Sequence, residues 1–105
     1  MAEKIRKEGE NIKSGTNEIF IGNKPFMKYV IASLMQIKEN GTSIIIKARG
    51  KFISKAVDVS EVVKKNLKEK GMEINELIKT STDEFEDPSG RKIHVSTMDI
   101  SLTKK

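Results

Sequence analysis

The segment IIIKARGKFISKA, residues 44–56, begins with three isoleucines and continues as a run of bases. Consecutive β-branched residues are typical of a strand buried in a sheet. No acid occurs in the segment, and its second part carries four bases: Lys47, Arg49, Lys51 and Lys55. Because like charges repel one another, such a strand exit needs an anionic partner. The segment therefore predicts a core strand that leads into an anion-binding loop, and it leaves the direction of Lys47 open.

The basic charge of the chain is concentrated around this segment. The 105 residues carry a net charge of +5, and residues 19–57 hold seven bases against Glu39 alone, a net of +6. Residues 1–18 are balanced, and residues 58–105 have a net charge of −1. A segregated basic surface is typical of a nucleic-acid-binding protein. On charge alone, a solvated lysine-rich surface explains the pattern equally well.

The composition excludes several classes of protein. The absence of cysteine excludes disulfides, thiolate zinc sites and cysteine nucleophiles. No apolar run approaches the length of about 18 residues that a membrane span needs, and the polar start is unlike a signal peptide. We therefore expect a soluble cytoplasmic protein that does not enter a membrane. Residues 1–15 read as a flexible tail and residues 16–105 as a single domain.

The first half of the domain predicts a strand, a helix and a second strand. Residues 18–21 (EIFI) form a short apolar strand, and Pro25 suits the first position of a helix. Gly41 is placed to end that helix, and the next strand spans residues 43–49. The helix has an apolar stripe that we expect to face the core: Met27, Val30, Ile31, Leu34, Met35 and Ile37.

A second helix is predicted between residues 53 and 70. One of its faces is apolar, and Gly71 is placed to end it. The start is ambiguous, because either Ser54 or Asp58 could cap the first turn.

Two alternating runs, residues 72–82 and 91–103, predict a pair of antiparallel strands. The segment between them ends in Asp87-Pro88-Ser89-Gly90, which has the residue preferences of a type I turn. The outer half of this long hairpin is too polar for the core. Two-stranded ribbons of this kind enter DNA grooves, although an ordinary hairpin with a hydrophilic tip fits the pattern as well.

The element order places the chain in the α/β class, as an α+β two-layer sandwich. A short strand–helix–strand crossover favours parallel neighbours, whereas the hairpin is antiparallel, so we expect a four-stranded mixed sheet. Two helices suffice to cover one face of that sheet. The other face would then lie open to solvent or to a partner.

No constellation of catalytic, cofactor-binding or metal-ligating residues is evident. His94 is the single histidine, and it lies in a strand without a second histidine nearby. Gly50-Lys51 lacks the upstream glycine spacing of a phosphate loop. We therefore predict a protein that is not an enzyme, needs no cofactor, and binds neither a metal nor a small-molecule substrate.

Three stretches occur in order along the chain: IGNKPFMKYV (21–30), IIIKARGKFISKAVD (44–58) and GRKIHVSTMDISLTKK (90–105). Together they closely resemble the Alba family of small basic archaeal nucleic-acid-binding proteins. IGNKPFMKYV (21–30) is similar to the family's strand end and lysine-proline helix start. IIIKARGKFISKAVD (44–58) is almost unaltered from the family pattern and is the most specific of the three. GRKIHVSTMDISLTKK (90–105) is similar to the family's last strand. The resemblance runs from about residue 17 to residue 105.

The resemblance implies the fold predicted above and a homodimer that binds double-stranded DNA, and often RNA, with little sequence preference. It implies that basic loops at the two strand–helix junctions lie along the phosphate backbone and that the hairpin reaches toward the minor groove. The residues that match the family's binding positions are Lys24, Tyr29, Arg49, Lys51, Lys55, Arg91 and Lys92. On its spacing alone, Tyr29 could equally be a core residue.

Three features depart from the family pattern. Asn23 stands in place of the first of two lysines before the proline, a target of regulatory acetylation in the family, and whether Lys24 substitutes for it is open. Leu67 stands where a phenylalanine often supports contacts between dimers, which weakens the expectation of cooperative packing along DNA. The outgoing hairpin strand is acidic, and this weakens the expected hairpin contacts: Asp83, Glu84, Glu86 and Asp87.

These observations lead to three hypotheses. The first is a homodimeric, chromosome-associated protein of chromatin type that neutralises phosphates of duplex DNA. The second is an RNA-binding protein, such as an RNA chaperone or a subunit of an RNA-processing particle, because the same basic face serves both ligands. The third, from another class, is a protein-interaction module whose basic face meets an acidic partner.

Overall fold

The computed structural model describes residues 17–40 and 43–105. The predicted tail and Gly41 lie outside these residues, and the predicted domain boundary stays a prediction. None of the helices described is long and apolar enough to cross a membrane. The elements follow one another in the predicted order: β1 (Glu18–Phe20), α1 (Phe26–Asn40), β2 (Ser43–Arg49), α2 (Ile53–Glu69), β3 (Ile74–Glu86) and β4 (Lys92–Lys104).

The four strands form one mixed sheet in the order β1-β2-β4-β3. β1 and β2 are parallel, as expected for strands joined through a helix, and the other two pairs are antiparallel. The predicted four-stranded mixed sheet is confirmed. β3 forms one edge of the sheet, and β1 forms the other edge.

The core lies between one face of the sheet and the two helices. Alternation along β2 turns Ile44 and Ile46 toward the helices, where they pair across the sheet with Leu102 and Ile100. Each such buried side chain contributes roughly 1.5–3 kcal/mol. Ala56, Val59, Val63 and Leu67 of α2 pack in the same cluster. The predicted two-layer sandwich is therefore confirmed, with the opposite face of the sheet left uncovered by the helices.

The apolar stripe of α1 is only partly buried. Val30 and Ile37 are buried as expected, but the buried face also includes the polar Ser33. Its hydroxyl donates a hydrogen bond to the Tyr29 carbonyl oxygen at 2.7 Å, so its burial leaves no unpaired donor. The prediction was wrong for three members of the stripe, each of which is more than half exposed: Met27, Ile31 and Met35.

The start of α2 differs from both predicted caps. A 3-10 turn over Gly50–Phe52 leads directly into α2, and Phe52 occupies the N-cap position without a side-chain hydrogen bond. Gly50 has a φ of +56°, in the left-handed region that glycine adopts at low cost. The helix therefore begins from this 3-10 turn and not, as the sequence predicted, from a side-chain cap at Ser54 or Asp58.

The hairpin is longer than predicted. β3 and β4 pair in an unbroken ladder that extends from Ile74 opposite Lys104 to Glu86 opposite Lys92. Asp83, Glu84 and Glu86 are strand residues, because regular pairing continues up to the turn, and Asp87 is the first residue of the turn. β2 ends at the level of Thr97, so residues 82–96 project beyond it, and we call them the hairpin arm.

The turn itself has the predicted closure. The Gly90 N–H donates to the Asp87 carbonyl oxygen at 2.9 Å, the bond that commonly closes a type I turn. The Asp87 carboxylate accepts hydrogen bonds from the Ser89 hydroxyl and from the backbone N–H groups of Ser89 and Arg91. These bonds, above all that from the Ser89 hydroxyl, hold the pKa of Asp87 below its ordinary value.

Candidate nucleic-acid interface

Two basic loops lie at the same end of the sheet. The β1–α1 loop (residues 21–25) and the β2–α2 turn (residues 50–52) follow adjacent parallel strands, whose ends meet at one edge. The hairpin arm projects from the sheet in the same direction, because β4 is antiparallel to β2 and β3 ends where β4 begins. The fold therefore brings three of the predicted contact regions to one end of the molecule.

Lys55 is hydrogen-bonded to the backbone of the β1–α1 loop. Its Nζ donates hydrogen bonds to the carbonyl oxygens of Gly22 at 2.7 Å and Lys24 at 2.6 Å. The same ammonium lies 5.1 Å from the centroid of the Tyr29 ring, within range of a cation–π interaction. The charge of Lys55 is thus already engaged within the protein, and its predicted contact with phosphate stays a prediction.

Tyr29 is hydrogen-bonded to the backbone N–H groups of the same two loop residues, Gly22 and Lys24. Its side chain is only 5% exposed, as expected for the core alternative. Its hydroxyl oxygen accepts the backbone N–H of Gly22 at 2.9 Å and of Lys24 at 3.0 Å. Tyr29 and Lys55 together satisfy both peptide groups of each loop residue, and the backbone that carries the Lys24 side chain is therefore fixed.

The guanidinium of Arg49 is paired with an acid from the hairpin arm. Arg49 Nη2 lies 3.3 Å from Asp83 Oδ2, and both side chains project from the open face of the sheet. Sequence reasoning missed this partner, because the two residues are 34 positions apart in the chain. The register of the sheet brings them together, and the local sequence carries no signal for that register.

Lys47 is paired in a similar way on the open face. Its Nζ lies 3.6 Å from a carboxylate oxygen of Glu18 and 3.6 Å from one of Asp99. These two acids belong to β1 and β4, the strands on either side of β2. Lys47, which the sequence left undecided, therefore points to the open face of the sheet, where it and its two acidic partners carry a net charge of −1.

Lys24 and Lys51 differ from these cations, since no carboxylate in residues 17–40 or 43–105 pairs with either of them. Lys51 is exposed, and its Nζ lies 5.4 Å from the centroid of the neighbouring Phe52 ring. A positive charge without an intramolecular partner attracts external anions most strongly. These two lysines therefore provide the uncompensated charge of the basic loops.

Arg91 and Lys92 lie apart from the loops, at the far end of the hairpin arm. Lys92 is five residues along β4 from Thr97, the position opposite Arg49, which corresponds to roughly 17 Å at the rise of a strand. Both residues are exposed. The structure thus brings Lys24, Tyr29 and Lys55 into contact. It places Arg49 at the end of β2 and Lys51 in the adjoining turn, whereas Arg91 and Lys92 lie at a distance from these residues.

A groove of about 550 Å³ opens between the loops and the hairpin arm on the open face of the sheet. Phe20, Phe52 and Thr97 contribute to its walls, together with the Arg49–Asp83 pair. The groove therefore connects the basic loops to the base of the arm.

Comparisons with known proteins agree on one family. Residues 17–81 match the family model described as Alba. DNA/RNA-binding protein Alba of Nanoarchaeum equitans is 44% identical over 89 residues, which cover 84% of this chain and 98% of that protein. DNA/RNA-binding protein Alba of Methanocella arvoryzae is 44% identical over 88 residues, which cover 84% of this chain and 90% of that protein. The structure of Alba from Thermoplasma volcanium matches with a TM-score of 0.71 at 40% identity, covering 83% of this chain and 99% of that one.

Proposed function

The chain belongs to the Alba family, and from that premise we propose that it is a homodimeric, non-enzymatic protein that binds duplex DNA mainly through phosphate contacts. Its sequence preference is low, because contacts to phosphates carry no direct information about the bases. Its role is of chromatin type, in association with the chromosome in the cytoplasm. The observation that carries the proposal is the pair of basic loops at one end of the sheet, in which Lys24 and Lys51 have no carboxylate partner among the described residues.

The mechanism follows from charge. Lys24, Lys51 and Arg49 neutralise phosphates, and the counterions condensed on the nucleic acid are released. Lys55 and Tyr29 act by holding the β1–α1 loop, since their polar groups are engaged with its backbone. Arg91 and Lys92 extend the contact along the hairpin arm.

Dimerisation is supported by the surface of β3. This edge strand is exposed along nearly its whole length, yet it carries three large apolar side chains: Leu77, Ile78 and Phe85. An exposed apolar edge strand is prone to pair with a further chain. A second copy that covered β3 would bury these side chains and would present two sets of basic loops to one duplex.

RNA is the second candidate ligand, and the names of the curated relatives favour it, since they describe DNA/RNA-binding proteins. The two ligands are separated by competition at one salt concentration, with labelled duplex DNA displaced by unlabelled duplex or by structured RNA.

The proposal as a whole is tested by fluorescence anisotropy with 30-bp duplexes of unrelated sequence across a salt series. We expect similar affinities for all duplexes. A plot of the logarithm of the binding constant against the logarithm of the salt concentration, whose gradient we call the salt slope, should fall by about 0.9 per phosphate contact. A complex that is insensitive to salt, or that forms with one sequence alone, contradicts the phosphate mechanism. Failure to bind any nucleic acid at low salt contradicts the function itself.

A further inference from the structure

The Arg49–Asp83 pair joins two regions that a nucleic acid would contact together. Arg49 is the last residue of β2, and Asp83 belongs to the hairpin arm, on the far side of β4. The two atoms are 3.3 Å apart, and the side chains are 57% and 51% exposed. The pair is therefore reachable from solvent, and it stands at the wall of the groove between the loops and the arm.

The chemistry of the pair resembles that of a phosphate contact. A guanidinium binds carboxylate and phosphate oxygens through the same N–H donors and in similar geometry. A phosphate that approaches Arg49 therefore meets a site already occupied by an anion of the protein. Asp83 contacts one of the two terminal nitrogens, so the phosphate competes with this carboxylate for the guanidinium, and a displaced carboxylate that stays nearby repels it.

We propose that Asp83 is an intramolecular competitor of the nucleic acid at this interface, because its carboxylate contacts the guanidinium of Arg49 where a backbone phosphate would bind. Nucleic acid binds Arg49 by exchange with Asp83, whereas it binds Lys24 and Lys51 by simple addition. The Arg49 contact forms only with a backbone that places a phosphate in that position while the loops are also engaged. This inference rests on the proposed function, since it takes a nucleic-acid phosphate as the ligand.

The exchange has a consequence for salt dependence. A contact added to an uncompensated lysine releases nearly one counterion from the nucleic acid. At Arg49 the released Asp83 stays close to the new contact and offsets part of the charge that Arg49 supplies. Arg49 therefore contributes less than a full contact to the salt slope for as long as Asp83 keeps its charge.

The adjacent residue Glu84 provides a matched control. Its side chain projects from the opposite face of the arm, and its carboxylate lies 3.3 Å from Nδ1 of His94. Asp83→Asn and Glu84→Gln each remove one negative charge from neighbouring positions of β3. Only Asp83→Asn removes the partner of Arg49.

The experiment measures the affinity and salt slope for a labelled 30-bp duplex in the wild type and four variants: Asp83→Asn, Glu84→Gln, Arg49→Gln and the Asp83→Asn/Arg49→Gln double variant. We expect Asp83→Asn to tighten binding about three- to ten-fold and to steepen the slope by up to about 0.9. Glu84→Gln should change affinity less than about two-fold, and Asp83→Asn should have no such effect when Arg49 is absent. Equal tightening by the two single charge removals, or a gain that persists without Arg49, overturns the exchange.

Retention on a heparin column separates failure of this inference from failure of the proposed function, because heparin is a sulfated polyanion and not a nucleic acid. Later elution of Asp83→Asn than of Glu84→Gln supports exchange at Arg49, even if no variant binds DNA or RNA and the proposed function fails. Duplex binding by the wild type without any Asp83-specific change overturns the exchange and leaves the proposed function in place.

Discussion

The Lys55 ammonium lies 5.1 Å from the centroid of the Tyr29 ring, and the two side chains hold the same two residues of the β1–α1 loop. Lys55 donates to the carbonyl oxygens of Gly22 and Lys24, and the Tyr29 hydroxyl accepts their N–H groups. A loop of five residues with so few internal hydrogen bonds would otherwise sample many conformations, at an entropic cost on binding. The two side chains therefore prepare the loop before the ligand arrives.

Replacement of Lys55 by methionine removes this support. Two loop carbonyl oxygens lose a charged hydrogen-bond donor, so we expect Lys55→Met to lower the free energy of unfolding by about 1–3 kcal/mol. Urea denaturation followed by circular dichroism measures the loss. DNA binding should weaken in parallel, because Lys24 would then be carried by a less ordered loop.

Lys51→Met is the matched control, since it truncates an exposed lysine in the adjoining turn. We expect it to weaken DNA binding while changing the free energy of unfolding by less than about 0.5 kcal/mol. If Lys55→Met proved equally neutral for stability, Lys55 would be a simple ligand contact and not a support of the loop.

Tyr29→Phe tests the other side of the loop. The ring and its cation–π contact with Lys55 are kept, but the N–H groups of Gly22 and Lys24 lose their acceptor. We expect the free energy of unfolding to fall by about 1–2 kcal/mol. Amide hydrogen exchange of Gly22 and Lys24 should accelerate more than that of core residues such as Ile46. Uniform acceleration throughout the core would indicate a global packing defect instead.

The order of the elements and the sheet were predictable, because they follow from local patterns. The alternation in β2, the crossover through α1 and the turn chemistry of Asp87-Pro88-Ser89-Gly90 each depend on residues close together in the chain. The burial of α1 was less predictable. The buried face of α1 is displaced around the helix relative to its apolar stripe, so Ile31 is exposed while Ser33 is buried.

The charges of the candidate site were only half predictable. The run of bases in residues 44–56 is local and visible in the sequence, whereas its acidic partners are not. Asp99 reaches Lys47, and Asp83 reaches Arg49, through strand registers that neither run of sequence specifies. The net charge of a segment therefore overstates the charge that its surface offers to a ligand.

Lys64 links α2 to β3 through an ion pair with Glu76, and its pKa leads to a prediction about the pH dependence of stability. Hydrogen bonds to Glu61, and also to Glu76, raise the pKa of Lys64 above its ordinary value of 10.5, although burial acts in the opposite direction. A raised pKa in the folded state means that this contribution to stability is fully present below pH 10.5. It is lost as the pH rises through the higher folded-state value.

We therefore expect Lys64→Met to lower the free energy of unfolding by about 0.5 kcal/mol at pH 8, in the range of partly exposed ion pairs. The difference from the wild type should shrink above pH 10.5. Urea denaturation at several pH values measures this difference in the free energy of unfolding. Lys65→Met, on the exposed face of the same helix turn, is the control. A difference that is constant across this pH range would contradict the linkage.

The proposed homodimer is tested on β3. Leu77 is 62% exposed in the single chain, and we expect Leu77→Lys to dissociate the dimer by placing a charge in its apolar interface. Analytical ultracentrifugation at several concentrations measures the shift toward monomer. Ile31→Lys changes an equally apolar, exposed position on α1 and should leave the dimer intact. If Ile31→Lys alone dissociated the dimer, the interface would lie on α1 and not on β3.

Lys24 should be the most direct phosphate contact of the β1–α1 loop, because its backbone is fixed and no described carboxylate pairs with its ammonium. We expect Lys24→Ala to weaken duplex binding about three- to ten-fold and to flatten the salt slope by about 0.9, without loss of stability. Lys65→Ala removes the same charge from α2, and it should leave the slope unchanged. Arg49→Ala should flatten the slope by less than Lys24→Ala, since Asp83 already compensates Arg49. Equal flattening by both would show that Asp83 does not compete with phosphate.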